Sequence, residues 1–305
     1  MTLKESAELF LDELTKSRNT KTTYKHAIKL FLEIVGDDAT LSADLYKTFL
    51  IQTKELSWST QKTYAAGIRM FLESLDISPA TMKRYTHNYS VPKEIKIIKY
   101  DEDVIHAAER HAERMGGGLI ELRNRAIFFV AVDTGLRESE IASLKRKDLN
   151  HKTNTVIVIG KRKKEAIVRF SNRAADAIRR YLSARAELDG GTGKPLETLP
   201  LFARHDKGAG KKVKPVSRKT VWQAFNEIME AAGLPRKSER FHSLRHHFVT
   251  SVLRSSGNLK AAQELARHES VLTTQRYAHL SNHEIDMVYD AAFNSPPPSI
   301  VRPEE

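Results

Sequence analysis

Two stretches forty residues apart carry almost the same helical pattern, TKTTYKHAIKLFLE at 20–33 and TQKTYAAGIRMFLE at 60–73. In the first, Tyr24, Ile28, Phe31, Leu32 and Val35 fall at i, i+4, i+7, i+8 and i+11, the apolar stripe of an amphipathic helix. Tyr64, Ile68, Phe71, Leu72 and Leu75 repeat the spacing. A polar N-cap candidate opens each copy, Asn19/Thr20 and Ser59/Thr60. Two copies are too few for a solenoid, so the pattern predicts two similar helical hairpins in one small domain. Arg18, Lys21, Lys25 and Lys29 line another face of the first helix, with Lys62 and Arg69 on the second. Such a face is either simply solvated or a place where cations and helix N-termini meet phosphates.

Residues 86–100 break the helical period with Asn, Ser and Pro and read as a linker after a first domain of 1–85. Beyond it the periodicity predicts helices near 102–114 and 120–133. A strand pair follows, TVIVIG at 155–160 and AIVRF at 166–170, around the basic turn KRKKE. Another helix starts near Arg173. ARHDKGAGKKVKPVSRK at 203–219 is basic and carries Gly and Pro, so an irregular, mobile loop touching nucleic acid is expected, with Lys211 and Lys212 as contacts. The second domain then runs over 101–294, and SPPPSIVRPEE at 295–305 reads as a flexible tail.

Charge narrows the partners. The chain of 305 residues has a net charge of +12, and only +1 of it falls in residues 1–92. The basic excess of the remainder favours a polyanion, nucleic acid before membrane. With no cysteine, disulfides, thiolate nucleophiles and Cys-based zinc sites are excluded. The N-terminus lacks a signal-peptide core, and the longest apolar run, AIFFVAV at 126–132, is too short to span a bilayer. A cytoplasmic protein without membrane association is expected. GGTGKP at 190–195 lacks the first Gly of a P-loop and has Pro where Ser or Thr would hold magnesium, so no ATP site is read there.

Four segments carry candidate chemistry. In DTGLRESEIASL, 133–144, an apolar helix ends at Gly135 and presents Arg137, with Glu140 one turn on to orient the guanidinium. Lys161 sits in the hairpin turn, where an ammonium could protonate a leaving oxygen. In FHSLRHHF, 241–248, His242 and Arg245 share a helix face. His242 and His246 have the i, i+4 spacing of a zinc site but lack the accompanying Glu of a zinc protease motif. An anion site, an Arg fork beside an imidazole that grips a phosphodiester and moves its proton, fits better. In LARHESVLTTQRYAHLS, 265–281, His268 precedes Tyr277 by nine residues.

Taken together, TGLRESEI, GKRKKE, FHSLRHHF and LARHES…TTQRYAHL resemble the boxes of the tyrosine recombinase (phage integrase) family, Arg…Lys…His-x-x-Arg…His…Tyr, over about 133–281. The resemblance implies a mainly α fold with a small antiparallel β-sheet: a SAM-like helical core-binding domain and a catalytic domain, clamped around duplex DNA. It implies a site-specific recombinase, cutting and rejoining DNA through a 3′-phosphotyrosine without metal, ATP or other cofactor. Tyr277 would be the nucleophile, Arg137, Arg245 and His268 the holders of the non-bridging oxygens, and Lys161 the general acid. His242 would assist proton transfer and Glu140 would support the arginines. His247 departs from the family pattern, which often has Ser or Thr there. The helical domain starts near residue 1, so an Xer-like recombinase without an arm-binding domain is expected. Its partners would be double-stranded target sites, three further copies in a synaptic homotetramer assembled from free monomers, and possible accessory proteins. The segment HEIDMVYDAAF, 283–293, would dock either on a neighbouring subunit or on its own domain. A type IB topoisomerase-like relaxing enzyme and a catalytically silent DNA-binding protein are the alternatives.

Overall fold

Among the described residues four Ser-x-x-Thr steps start helices, at Ser17, Ser57, Ser78 and Ser217, and in each the serine oxygen accepts the threonine N–H. That bond satisfies one of the donors a helix N-terminus leaves unpaired. A computed structural model of the chain describes residues 2–86, 100, 102–160, 164–206, 208, 210, 212–234 and 241–267. The chain divides into two compact units, Met1–Lys96 and Ile97–Glu305.

The first unit contains α1 (Leu3–Glu13), α2 (Arg18–Val35), α3 (Asp44–Gln52), α4 (Trp58–Glu73) and α5 (Pro79–Tyr85). The repeated stretches are α2 and α4, each followed by a shorter helix. Their caps correct the sequence expectation. Ser17 and Ser57 are the N-caps, one turn ahead of Thr20 and Thr60, whose hydroxyls instead pair with the serine oxygens at 2.9 and 2.8 Å. Asn19 and Ser59 already lie inside the helices.

Phe31 of α2, Phe49 of α3 and Phe71 of α4 are fully buried, and the Phe31 ring stands edge-on to both others, with centroids 5.8 and 6.1 Å apart. Tyr24 lies across Gly67 so closely that a Cβ there would be 2.9 Å from the ring, which explains why the second copy has glycine where the first has Ala27. The buried Gln61 amide donates to the Leu50 carbonyl at 2.8 Å and ties α4 to the end of α3. Truncating the hub of this core, Phe31→Ala, is expected to cost about 3–5 kcal/mol, read by chemical denaturation of the full chain.

The second unit is built around α7 (Leu119–Thr134), buried on nearly every side and in contact with α6 (Glu102–Arg114), α8 (Glu138–Ser143), α9 (Asn172–Ala184), α11 (Arg218–Ala231) and α12 (Phe241–Ser256). A helix apolar all round is a central helix. Phe128 stacks on Phe225 at 6.3 Å, and Phe225 meets Phe241 edge-on at 5.3 Å, so the rings carry α11 and α12 onto α7. Short α10 (Ala186–Gly190) follows α9, and α13 (Leu259–Ala266) packs on α12.

An antiparallel sheet of order β1 (Leu149–Asn150), β2 (Thr155–Ile159), β3 (Glu165–Arg169) completes this unit. Val156 pairs with Val168, both turned inward, while Ile157 opposite Ile167 faces out. The Gly160 N–H closes the hairpin onto the Lys164 carbonyl at 2.8 Å. The fold is therefore mainly α with a small antiparallel sheet, as expected.

The basic segment after residue 203 is better anchored than its composition predicts. Its base is a bridge between Ala203 and Pro215, with Arg204 N–H on the Lys214 carbonyl at 2.9 Å, and α11 already begins at Arg218. A buried polar cluster holds that base. Arg185 is fully buried, forms an ion pair with Asp189 at 2.9 Å, and donates to the carbonyls of Leu201 and Pro200 and to the Tyr181 hydroxyl. The Tyr181 oxygen also accepts Ala203 N–H at 3.0 Å, so its own proton is directed to His205 Nε2, 2.8 Å away. This needs a neutral imidazole with a bare Nε2. Burial, with Arg123 and Arg185 nearby, pushes the His205 pKa down from 6.5 to about 4. A depressed histidine pKa withholds a proton from the folded state that the unfolded chain accepts. Stability is therefore full above about pH 6.5 and declines as the pH falls toward about 4. Thermal midpoints at pH 7 and pH 5 are expected to differ less in His205→Gln than in the parent chain.

Candidate active site

Central α7 stops at Gly135, which takes a left-handed φ of 57° and returns its N–H to the Ala131 carbonyl at 3.1 Å. Glycine is required there twice over: by the sign of φ, and because a Cβ would lie 2.9 Å from the Phe248 ring of α12. The turn thus seats on α12 and delivers Arg137 as the N-cap of α8.

Glu140, buried at 5% exposure, receives the Arg137 backbone N–H on Oε2 at 2.8 Å and the Arg137 guanidinium on Oε1 at 3.0 Å. The glutamate one turn after Arg137 thus contacts both its backbone and its guanidinium. A second guanidinium shares the carboxylate. Arg267 ends α13 in the left-handed conformation, φ 54°, and donates Nη2 to Oε2 at 2.9 Å and Nη1 to Oε1 at 3.4 Å. Burial by itself would raise the Glu140 pKa. The Arg137 N–H bond, the Arg267 bond and the charges of both arginines outweigh it and hold the carboxyl below its usual range.

Arg245, on α12, is 3% exposed. It donates Nη1 to the Gly135 carbonyl at 2.9 Å and Nη2 to the Ala266 carbonyl, joining the α7–α8 turn to the end of α13. Arg137 and Arg245 both line a cleft of about 200 Å³ together with Glu138, Arg218 and Phe241. Two carboxylates two residues apart behave oppositely here. Burial raises Glu138, only partly offset by Arg218, whereas Glu140 is lowered. A cleft with three guanidinium groups on its wall suits a compact anion.

Residue 242 lies on α12 one turn before Arg245, as expected, but its side chain is outside the described part of the molecule. Lys161, His268, Tyr277 and Lys211 lie outside the described residues altogether. His247 is placed away from the cleft's lining: it is half-buried, with its pKa lowered by burial, and it feels Glu102, Glu109 and His106 of α6. The residue that departs from the family pattern therefore belongs to the α6–α12 side. Arg267 and Arg218 were not legible as site residues. Arg267 does stand beside His268 in LARHES, but its carboxylate partner is 127 positions away.

In the first unit, Lys21 and Lys25 border a surface cleft of about 560 Å³ with Arg18, opposite Glu8 and Asp12. Lys62 lies over the Trp58 ring at 4.8 Å, and Arg69 pairs with Glu73 at 3.5 Å. Lys212 is exposed. Among the described residues no three His, Asp or Glu side chains gather as a metal site would need, and no helix is long and apolar enough to cross a membrane.

Comparison with known proteins places these features. The phage integrase family matches residues 101–284. The chain is 31% identical over 294 residues to tyrosine recombinase XerC of Pelobacter propionicus, covering 92% of this chain and 91% of that protein. It is 30% identical over 234 residues to XerC of Vibrio cholerae, covering 77% and 71%. Its fold is similar to that of the XerH site-specific recombinase solved on a palindromic difH substrate after cleavage, with TM-score 0.73, 19% identity and 94% of each chain covered. The chain belongs to the phage integrase family of tyrosine recombinases.

Proposed function

We propose that this site-specific DNA recombinase breaks and rejoins duplex DNA through a 3′-phosphotyrosine at Tyr277. The Tyr277 oxygen attacks the scissile phosphorus and the bond from phosphorus to the 5′ oxygen breaks. Lys161 delivers a proton to that departing oxygen, and His242 assists removal of the phenolic proton. A phenol with pKa near 10 attacks only where its developing charge is met. Arg137, Arg245 and His268 meet the charge that builds on the non-bridging oxygens, in place of a metal ion. Glu140 keeps Arg137 aimed. The phosphotyrosine retains the energy of the broken bond, so the 5′-hydroxyl of a partner strand reseals it without ATP.

The observation that supports this reading is the shared cleft of Arg137 and Arg245, brought together from α8 and α12 although 108 positions separate them in the chain. The XerH relative is solved on a DNA substrate, and we take duplex DNA as the substrate here. The cations Lys21, Lys25, Lys62 and Arg69 of the first unit, with Lys211 and Lys212 of the second, would hold the phosphate backbone. Domains at 1–85 and 101–294 joined by 86–100, a tail at 295–305, a monomer that forms a homotetramer on paired sites, accessory proteins and action in the cytoplasm complete the proposal.

A nicked suicide duplex carrying the recombination site tests the nucleophile. An SDS-resistant protein–DNA adduct is expected, absent in Tyr277→Phe; equal adduct in that variant overturns the assignment. Arg245→Ala is expected to slow adduct formation by roughly a hundredfold, the scale of losing one donor to a developing oxyanion. EDTA is expected to leave the rate unchanged. Crossover between two plasmids carrying the site, rather than relaxation of one supercoiled plasmid, separates recombinase from topoisomerase action.

A further inference from the structure

We propose that Arg267 is a positioning residue for strand cleavage: by locking the Glu140 carboxylate it sets the direction of the Arg137 guanidinium. The inference rests on the assignment of Arg137 to the scissile phosphate given above. It starts from a conformational oddity. Arg267 takes a φ of 54°, one of three positive-φ residues other than glycine among those described. An L residue pays for that region in steric strain, and an arginine there demands a compensating contact.

The contact is a fork-to-fork pair. Nη2 and Nη1 of Arg267 reach the two oxygens of Glu140 at 2.9 and 3.4 Å, and the Arg267 side chain is only 14% exposed. It is turned into the protein rather than out toward a ligand in solvent. The same two oxygens hold Arg137, one through its backbone N–H and the other through its guanidinium. The terminal torsion of a glutamate is broad, so a carboxylate with one partner can swivel. The guanidinium fork of Arg267, together with the backbone N–H and Nη1 of Arg137, fixes its plane. Fixing that plane fixes the line along which Arg137 Nη1 is held, and Arg137 opens on the cleft shared with Arg245.

The backbone carries the same linkage. Arg245 Nη2 bonds the carbonyl of Ala266, immediately before Arg267. The last turn of α13 is thereby tied to α12 through a carbonyl and to α8 through a side chain. A residue with only a capping duty at the end of α13 would need neither the guanidinium nor its two-oxygen reach. Glycine would serve better.

That contrast sets the test. Arg267→Gly relieves the backbone and deletes the fork together with its charge. Single-turnover cleavage of the nicked duplex at saturating DNA is expected to slow by roughly tenfold, the scale of a misdirected catalytic group, with DNA affinity unchanged. The same substitution made in an Arg137→Lys background is expected to slow cleavage less than twofold further, because little remains to be aimed. Arg267→Lys, which keeps the charge but not the fork, is expected to rescue only part of the rate. Equal slowing in both backgrounds assigns Arg267 a general structural role and overturns the proposal, as does an Arg267→Gly rate equal to that of the parent. If Arg267→Gly fails to fold by thermal denaturation, the Lys variant takes its place in the same cycle. A parent chain that forms no Tyr277-dependent adduct overturns the underlying mechanism instead, so the two failures are distinguishable.

Discussion

A single buried carboxylate organises the catalytic unit. Glu140 is nearly inaccessible to water, and a buried anion is tolerated only when charge and hydrogen bonds surround it. It meets that condition by drawing Arg137 from its own helix and Arg267 from the end of α13. Arg245 adds a second buried tie, donating to the carbonyls of Gly135 and Ala266. Three arginines and one glutamate thus hold together the end of α7, the start of α8, the second turn of α12 and the end of α13. The packing beneath them is apolar, through Phe128, Phe225 and Phe241, but the register of the site is electrostatic.

This division explains what could be read from the sequence. The helices α2, α4, α6 and α9 announce themselves because burial on one side imposes a local period, α7 because its apolar run AIFFVAV marks an enclosed helix, and the β2–β3 hairpin because its valines alternate. Arg137 and Glu140 were legible as a pair because three residues make one helical turn. The caps were misplaced by a turn because serine, threonine and asparagine all suit that position, and only the hydrogen bond from Thr20 or Thr60 to the serine oxygen decides between them. The partnership of Arg267 with Glu140 leaves no local mark, and neither does the burial of Arg185 under the carbonyls of Pro200 and Leu201. Both read as ordinary surface arginines until the chain is folded.

The two buried arginine clusters do different work. Around Arg185, Tyr181 and His205 the hydrogen bonds run to one another and to the Pro200, Leu201 and Ala203 backbone, closing the base of the basic segment that leads into α11. Around Glu140 the guanidinium of Arg137 remains directed at a cleft. The first cluster makes a wall and the second a tool, from the same side chain, because one is enclosed on all sides and the other reaches solvent at its tip.

The repeated helices of the first unit carry a quieter asymmetry. Lys21 and Gln61 occupy the same register of the two copies, yet Lys21 borders an open cleft and Gln61 is buried against the Leu50 carbonyl. Similar sequence therefore conceals two trades, one copy facing outward with a full charge and the other turned inward as an architectural peg. The copies are not interchangeable: a lysine grafted at 61 would bring an ammonium into the interior, while a glutamine at 21 would merely subtract a charge from the surface.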